Sequence, residues 1–237
     1  MKRIMIDPGH APGDANRGQM GYYEYAGMWK LAGFLKTALE RCSFECALSR
    51  TENTNPIADE RGRLAQGYDL FISEHSNAAN GMARGVEVWY SLQRPDDVAL
   101  ASTMSAVVSA VMGNSDRGAK IRQENGMDYY GQIRGAASAG VPHVLLVENG
   151  FHDNLVDEGF LLVDDNLKVI AEAQAVVICD HFGVRYVPSI PTDQFPESAA
   201  WVRDNLISDG QRGDQPVTRA ELWEMLWRYD TRVAKEK

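Results

Sequence analysis

The sequence predicts an α/β domain, a mostly parallel β-sheet with helices on both faces, followed by a small helical module. Three observations carry this. Short apolar runs alternate with stretches of helical spacing between residues 3 and 183. Three of the runs close on a histidine or a glutamate, as strands do where a parallel sheet presents its ligand edge. Beyond residue 185 the texture changes to a proline-rich stretch and then to two short amphipathic patterns.

Taken in order, "RIMI" (3–6) is a short apolar strand ending at a Pro-Gly turn. From Tyr22 to Arg41, Tyr25, Met28, Leu31, Ala32, Leu35 and Leu39 recur at helical spacing. "FECALSRT" (44–51) reads as a strand and "ADERGRLAQ" (58–66) as a helix. "DLFISEH" (69–75) is a strand, and "GVEVWYS" (85–91) alternates as a strand does. The stretch 97–113 is a helix closed by Gly113. Residues 117–142, rich in glycine and polar side chains, read either as a substrate-groove wall or as plain connecting structure. "HVLLVENG" (143–150) is a strand whose apolar run ends at Glu148 before an Asn-Gly turn, and 166–183 is a closing helix ended by Gly183.

Composition narrows the function. The 237 residues carry 33 acidic and 24 basic side chains, a net charge of −9, which argues against nucleic acid as the main partner because phosphate binding needs a basic surface. No apolar run approaches the roughly 20 residues that span a bilayer, so no membrane partner is expected. The start "MKRIMIDPGH" is too short in apolar residues for a signal peptide, so the chain is expected to accumulate in the cytoplasm. Cys42, Cys46 and Cys179 fit no disulfide framework and read as reduced thiols.

Three polar groups then fall at one sheet edge: His10 after the first strand, His75 at the end of the third, and Glu148. Each histidine alone reads as readily as a structural one. Together, two imidazoles and a carboxylate form a catalytic zinc set with a fourth position for water. Glu24, in the first turn of the helix after the His10 loop, is the carboxylate able to reach back. Glu74 points to the opposite strand face from His75 and is the poorer choice. Glu148 is then the free carboxylate that moves protons.

The same blocks, "IDPGH" with Glu24 downstream, "FISEHSNA" and "VPHVLLVENGFHDN", resemble the signature blocks of the zinc-dependent N-acetylmuramoyl-L-alanine amidases over roughly residues 1–183. The resemblance implies a twisted, mostly parallel sheet of about six strands, with one zinc per chain held by His10, Glu24 and His75. It makes Glu148 catalytic and Asn77 and Arg61 candidate substrate contacts, with a lesser echo around Arg50. It implies hydrolysis of the bond between N-acetylmuramic acid and L-alanine of the stem peptide, with peptidoglycan as the partner. There are departures. "GFHDN" stands where a more apolar, serine-containing block is usual, Glu74 where an apolar residue is common, and His143 where a small one is. His152 reads as structural or surface rather than as a ligand.

Domain boundaries are expected at 1–185 for the catalytic domain and 186–237 for a linker and a two-helix module. That module, with a capping box at Thr218 and Glu221, resembles one S-layer-homology-type repeat. It would bind a secondary cell-wall polymer or mediate self-association. Together these features suggest a phage or prophage endolysin for a Gram-positive host, reaching the wall after release from the cytoplasm. The alternatives are a bacterial autolysin or spore-lysis amidase, a zinc peptidase or deacylase acting on another amide, and a non-catalytic wall-binding protein.

Overall fold

Apolar runs without a polar face must be covered on both sides, and three of them form the centre of one sheet. In this computed structural model, which describes residues 1–189, the strands are β1 (Arg3–Pro8), β2 (Glu45–Leu48), β3 (Leu70–Asn77), β4 (Val86–Tyr90), β5 (Asp116–Lys120) and β8 (His143–Phe151), in the order β2-β1-β3-β8-β4-β5. A two-stranded hairpin, β6 (Gln123–Glu124) and β7 (Met127–Asp128), stands apart from the sheet. The helices are α1 (Glu24–Arg41), α2 (Ala58–Arg63), α3 (Val98–Met112), α4 (Gly131–Ser138), α5 (Leu155–Leu161) and α6 (Asp164–His181). Among the described residues no helix is long and apolar enough to cross a membrane. The expected two-helix module lies outside the described residues.

The expected six-stranded, mostly parallel sheet is present. β1 pairs in parallel with β2 and β3, β3 with β8, and β4 with β5; β4 runs antiparallel to β8. Alternation sorts the side chains to two faces. Met5, Phe71, Val144 and Leu146 pack with Ile133 and Ala136 of α4 and with Ala65. Ile4, Ile6, Leu70, Ile72 and Leu145, all fully buried, belong to the other face, which α1, α3 and α6 cover. The three cysteines are free thiols.

Two sequence readings change. The stretch 117–142 is neither a plain connection nor only a wall: it supplies most of edge strand β5, the hairpin and α4. Its strands are short and polar, and edge positions need no apolar alternation. The Asn-Gly pair after Glu148 is not a turn. β8 runs on through it to Phe151, with Gly150 at φ 81°, where the pairing with β3 shifts register between His75 and Asn77. A left-handed glycine in a strand makes a bulge here.

Glu74, on the α6 side of β3, is fully buried. Its Oε2 accepts from Asn149 Nδ2 at 2.8 Å and Gln174 Nε2 at 3.0 Å, while Glu74 Oε1 and Gln174 Oε1 have no partner. Two orphaned acceptors in one cluster call for a donor, which a protonated Glu74 supplies. Burial pushes its carboxyl up to about 7, against the hydrogen bonds from Gln174 and Asn149. The native state therefore keeps a proton that the unfolded chain, with its ordinary value of 4.5, has released. Stability falls as pH rises through that window, and the full cost is in place above it. Glu74→Gln is expected to stabilise the fold by on the order of 2–3 kcal/mol above pH 7 and to be near neutral at about pH 4.5. Urea unfolding of both proteins at the two pH values checks this, and an equal difference at both would contradict it.

Candidate active site and metal centre

The site is built where β1, β3 and β8 end. The loop after β1 is pulled against β3 by Gly9, whose N–H donates to the Glu74 carbonyl at 2.8 Å. A Cβ at Gly9 would meet that oxygen at 2.5 Å and His75 Cε1 at 2.7 Å, so only glycine fits. Arg50 clamps the same loop, donating to the carbonyls of Pro8 at 3.0 Å and Gly9 at 3.3 Å. His10 follows at φ 54°, a left-handed conformation that histidine tolerates better than most side chains.

Glu24, 1% exposed, opens α1. Its Oε1 accepts from the Ser76 N–H at 2.9 Å and lies 3.1 Å from His75 Nδ1. Its Oε2 accepts from Asn16 Nδ2 at 3.1 Å and lies 3.2 Å from His10 Nε2. Burial acts to raise its pKa, but hydrogen bonds to His10 and His75 hold the carboxylate far below its usual range. Burial likewise opposes protonation of His10, and the bonds to Glu24 and Asp14 overcome it, so its pKa lies above the ordinary value. One ligand atom from each of His10, Glu24 and His75 falls within 4.8 Å of the others.

Each histidine is also held from its far side. His10 Nδ1 donates to Asp14 Oδ2 at 2.6 Å, which leaves Nε2 facing Glu24. His75 Nε2 lies 2.9 Å from the Gln132 amide on α4, which leaves Nδ1 facing Glu24. Half a turn of that amide presents its oxygen to an Nε2–H and frees the Nδ1 lone pair for a cation. The loop between His10 and Glu24 is fixed by Glu158 of α5, whose buried carboxylate accepts from the N–H groups of Gln19, Met20 and Tyr22 at 2.9, 2.7 and 3.2 Å.

Glu148 stands beside His75 in register, and Glu87 of β4 stands beside Glu148. Both carboxylates are therefore on the strand face that carries His75. Glu87 is tied to Arg117 at 2.7 Å and Lys120 at 2.5 Å, which outweigh its burial and keep it ionised. Glu148 has no such partner, and its Oε2 is buried without a hydrogen bond. Burial first, then the charges of Glu24 and Glu87, raise its pKa well above the ordinary value. A donor set of two imidazoles and one carboxylate with held far-side nitrogens, next to an orphaned carboxylate oxygen, fits a divalent cation and a water molecule.

The structure thus brings together His10, Glu24, His75 and Glu148. Asn77 lies on β3 just past His75, beyond the row, donating to Glu87 Oε1 at 2.9 Å. Arg61 is elsewhere. It is buried in a two-pronged pair with Asp7, at 2.7 and 3.4 Å, on the α2 side of the sheet, and its role there is to neutralise that carboxylate. His152 is buried, not on the surface, with Nδ1 3.0 Å from the Ser76 carbonyl and 3.8 Å from Glu24 Oε2, and its ring stacks on Tyr22. His143 pairs with Asp97 at 2.6 Å at the opposite end of β8. Asp14, Gln132 and Glu87 escaped the sequence reading. Only Glu87 had a signal, since alternation in "VEVWY" puts it on one face with Trp89.

An α/β sheet carries this constellation toward its strand ends, and comparison with known proteins gives the family of the chain. The model of the N-acetylmuramoyl-L-alanine amidase family matches residues 4–180, and the chain belongs to that family. Among solved structures it is similar to Cwp6 from Clostridium difficile, with TM-score 0.66 and 26% identity over 76% of this chain and 29% of that one. The catalytic domain of CwlV, an N-acetylmuramoyl-L-alanine amidase from Bacillus (Paenibacillus) polymyxa var. colistinus, has TM-score 0.66 and 24% identity over 78% of this chain and 100% of that one. An N-acetylmuramoyl-L-alanine amidase from Clostridium difficile 630 has TM-score 0.68 and 23% identity over 77% and 97%. The last two likenesses speak to the fold. The chain spans less than a third of Cwp6 and nearly all of the other two. No curated protein matches it.

Removing one partner of the buried Asp7–Arg61 pair leaves a charge stranded, so Arg61→Ala is expected to destabilise the fold by about 3–5 kcal/mol. Chemical unfolding measures this. A change confined to substrate affinity, with stability intact, would contradict the placement.

Proposed function

We propose that the protein is a zinc-dependent N-acetylmuramoyl-L-alanine amidase that hydrolyses the amide between the lactyl group of N-acetylmuramic acid and L-alanine of the peptidoglycan stem peptide. The observation that carries this is the His10–Glu24–His75 set with the partnerless Glu148 Oε2 on the neighbouring strand. One zinc held by those three side chains would supply a Lewis acid that polarises the carbonyl and acidifies water. Glu148 takes a proton at Oε2 and delivers it to the leaving amine, as a general base and then a general acid. Its burial, and then the charges of Glu24 and Glu87, favour the protonated form that delivery needs. Asp14 and Gln132 hold the two imidazoles so that Nε2 of His10 and Nδ1 of His75 face Glu24. Asn77, held on Glu87, is placed to meet the substrate beyond Glu148.

We also propose that the enzyme serves as a phage or prophage endolysin on Gram-positive walls. What supports this is the pairing of the catalytic unit with residues 186–237, which resemble one S-layer-homology-type repeat and suit wall-polymer binding or self-association. An autolysin or spore-lysis role would use the same chemistry.

The purified protein is expected to bind about one zinc per chain. It should release L-alanine amino termini from peptidoglycan, read by mass spectrometry of wall digests. New reducing sugars or severed cross-bridges in place of those termini would refute the amidase reading. Glu148→Ala should keep its zinc while losing about 10²- to 10⁴-fold in turnover. Asp14→Ala and Gln132→Leu should each weaken zinc binding by about 10- to 100-fold in competition with a chelating dye. Unaltered affinity would remove their orienting role.

A further inference from the structure

Crossing the sheet from β1 to β5, the site has a direction. His10 and His75 stand at the ends of β1 and β3, Glu148 on β8 and Glu87 on β4; Lys120 of β5, opposite Trp89 in register, reaches back to Glu87 at 2.5 Å. The group that protonates the leaving amine lies on the β8 side of the candidate metal ligands. On the amidase reading the amine belongs to the peptide half of the substrate, which would then extend over β4 and β5 with the sugar half toward His10.

Arg122 follows β5 by two residues and sits on that peptide side. From it the β6–β7 hairpin arches over to α4, where Gln132 meets His75. The hairpin is tied down by several hydrogen bonds. Asn125 and Gly126 make its left-handed turn, the Tyr129 N–H donates to the Arg122 carbonyl at 3.0 Å, and buried Asp128 accepts from Ser91 Oγ and the Leu92 N–H at 2.8 Å each. The Arg122 guanidinium lies 3.6 Å from the centre of the Tyr129 ring and 6.0 Å from that of Tyr130, which in turn packs on Trp89. Stacking fixes the plane of the guanidinium; one of its N–H groups donates to the Tyr130 hydroxyl, and the rest of its five-donor fork is available to a ligand. The chain has a net charge of −9, and among the described residues most exposed cations are paired; Arg122 is exposed and none of their carboxylates pairs with it. Beside it, Trp89 Nε1 is buried without a partner.

We infer that Arg122 receives a carboxylate of the stem peptide on the leaving-amine side of the site and so makes the enzyme selective for acidic over amidated stems. This rests on the amidase reading. A stacked guanidinium offers a carboxylate two parallel N–H bonds, and an amide offers neither the charge nor the second acceptor. Exposed Arg17 also has no carboxylate partner among the described residues, but it lies in the loop that Glu158 ties down, and no aromatic ring among those residues stacks on its guanidinium to fix it.

The test uses the full chain loaded with zinc and two substrates: N-acetylmuramoyl-L-alanyl-D-glutamate and its counterpart with both carboxylates amidated. Arg122→Ala is expected to raise KM for the acid about 5- to 10-fold at little cost in kcat, and to leave KM for the amidated substrate within about twofold. Arg122→Lys, which keeps the charge but not the fork, should fall between. Equal losses on both substrates would overturn the inference, as would a carboxylate-selective loss in Arg17→Ala instead. If the wild type cleaves neither substrate while keeping its zinc, the amidase reading falls and this inference with it.

Discussion

The structure depends on one buried charge. A carboxylate at 1% exposure is tolerable only if its lone pairs are met, and Glu24 has no partner on its own helix. It meets them by bridging His10 from the loop after β1, Asn16 from the loop before α1, and His75 and the Ser76 N–H from the end of β3. Satisfying Glu24 therefore fixes the loop, the helix start and the strand end relative to one another. The helix N-terminus adds to this, since its partial positive charge favours an anion in the first turn. The same requirement that stabilises the carboxylate assembles the cluster.

A second balance sets the chemistry. Glu87 and Glu148 are neighbours on one face, and two like charges side by side in a buried setting cannot both be equally content. The molecule resolves the conflict asymmetrically. Arg117 and Lys120 go to Glu87, and Glu148 is given no cation of its own. One carboxylate is pinned in its ionised form, and the other is left ready to hold a proton. Register on a β-sheet is a rigid way to build such a pair, because a slip of one residue would turn both groups to the opposite face.

Much of this was legible in the residues. β1, β3 and β8 are short apolar runs bounded by turn residues, and parallel central strands must look like that. Their ends marked His10, His75 and Glu148, and the helical spacing of 22–41 put Glu24 within reach. What could not be read was whatever depends on tertiary pairing. The reversal of β4 is invisible in "VEVWY", yet it brings Glu87 beside Glu148. α4 is short and half of its residues are small, so its apolar stripe is thin, and nothing local marks Gln132 as the partner of His75. Arg61 stood in a suggestive block, but a buried aspartate on β1 claimed it. His152, expected to be structural or on the surface, is buried against Ser76 and Tyr22, contacts that only the tertiary fold creates.

The tether from Glu158 to the loop between His10 and Glu24 joins groups up to 139 positions apart in the chain. His75 and Glu148 add further distant pairings. A site made of such contacts has high contact order, and it can close only after the chain ends that form it have met. The loop bearing the first ligand emerges early in synthesis, and the anchor that Glu158 adds to it comes only with α5. The enzyme's competence is thus timed by its own topology. The last tether of the candidate site is supplied from late in the chain, and a product cut before Glu158 would lack it.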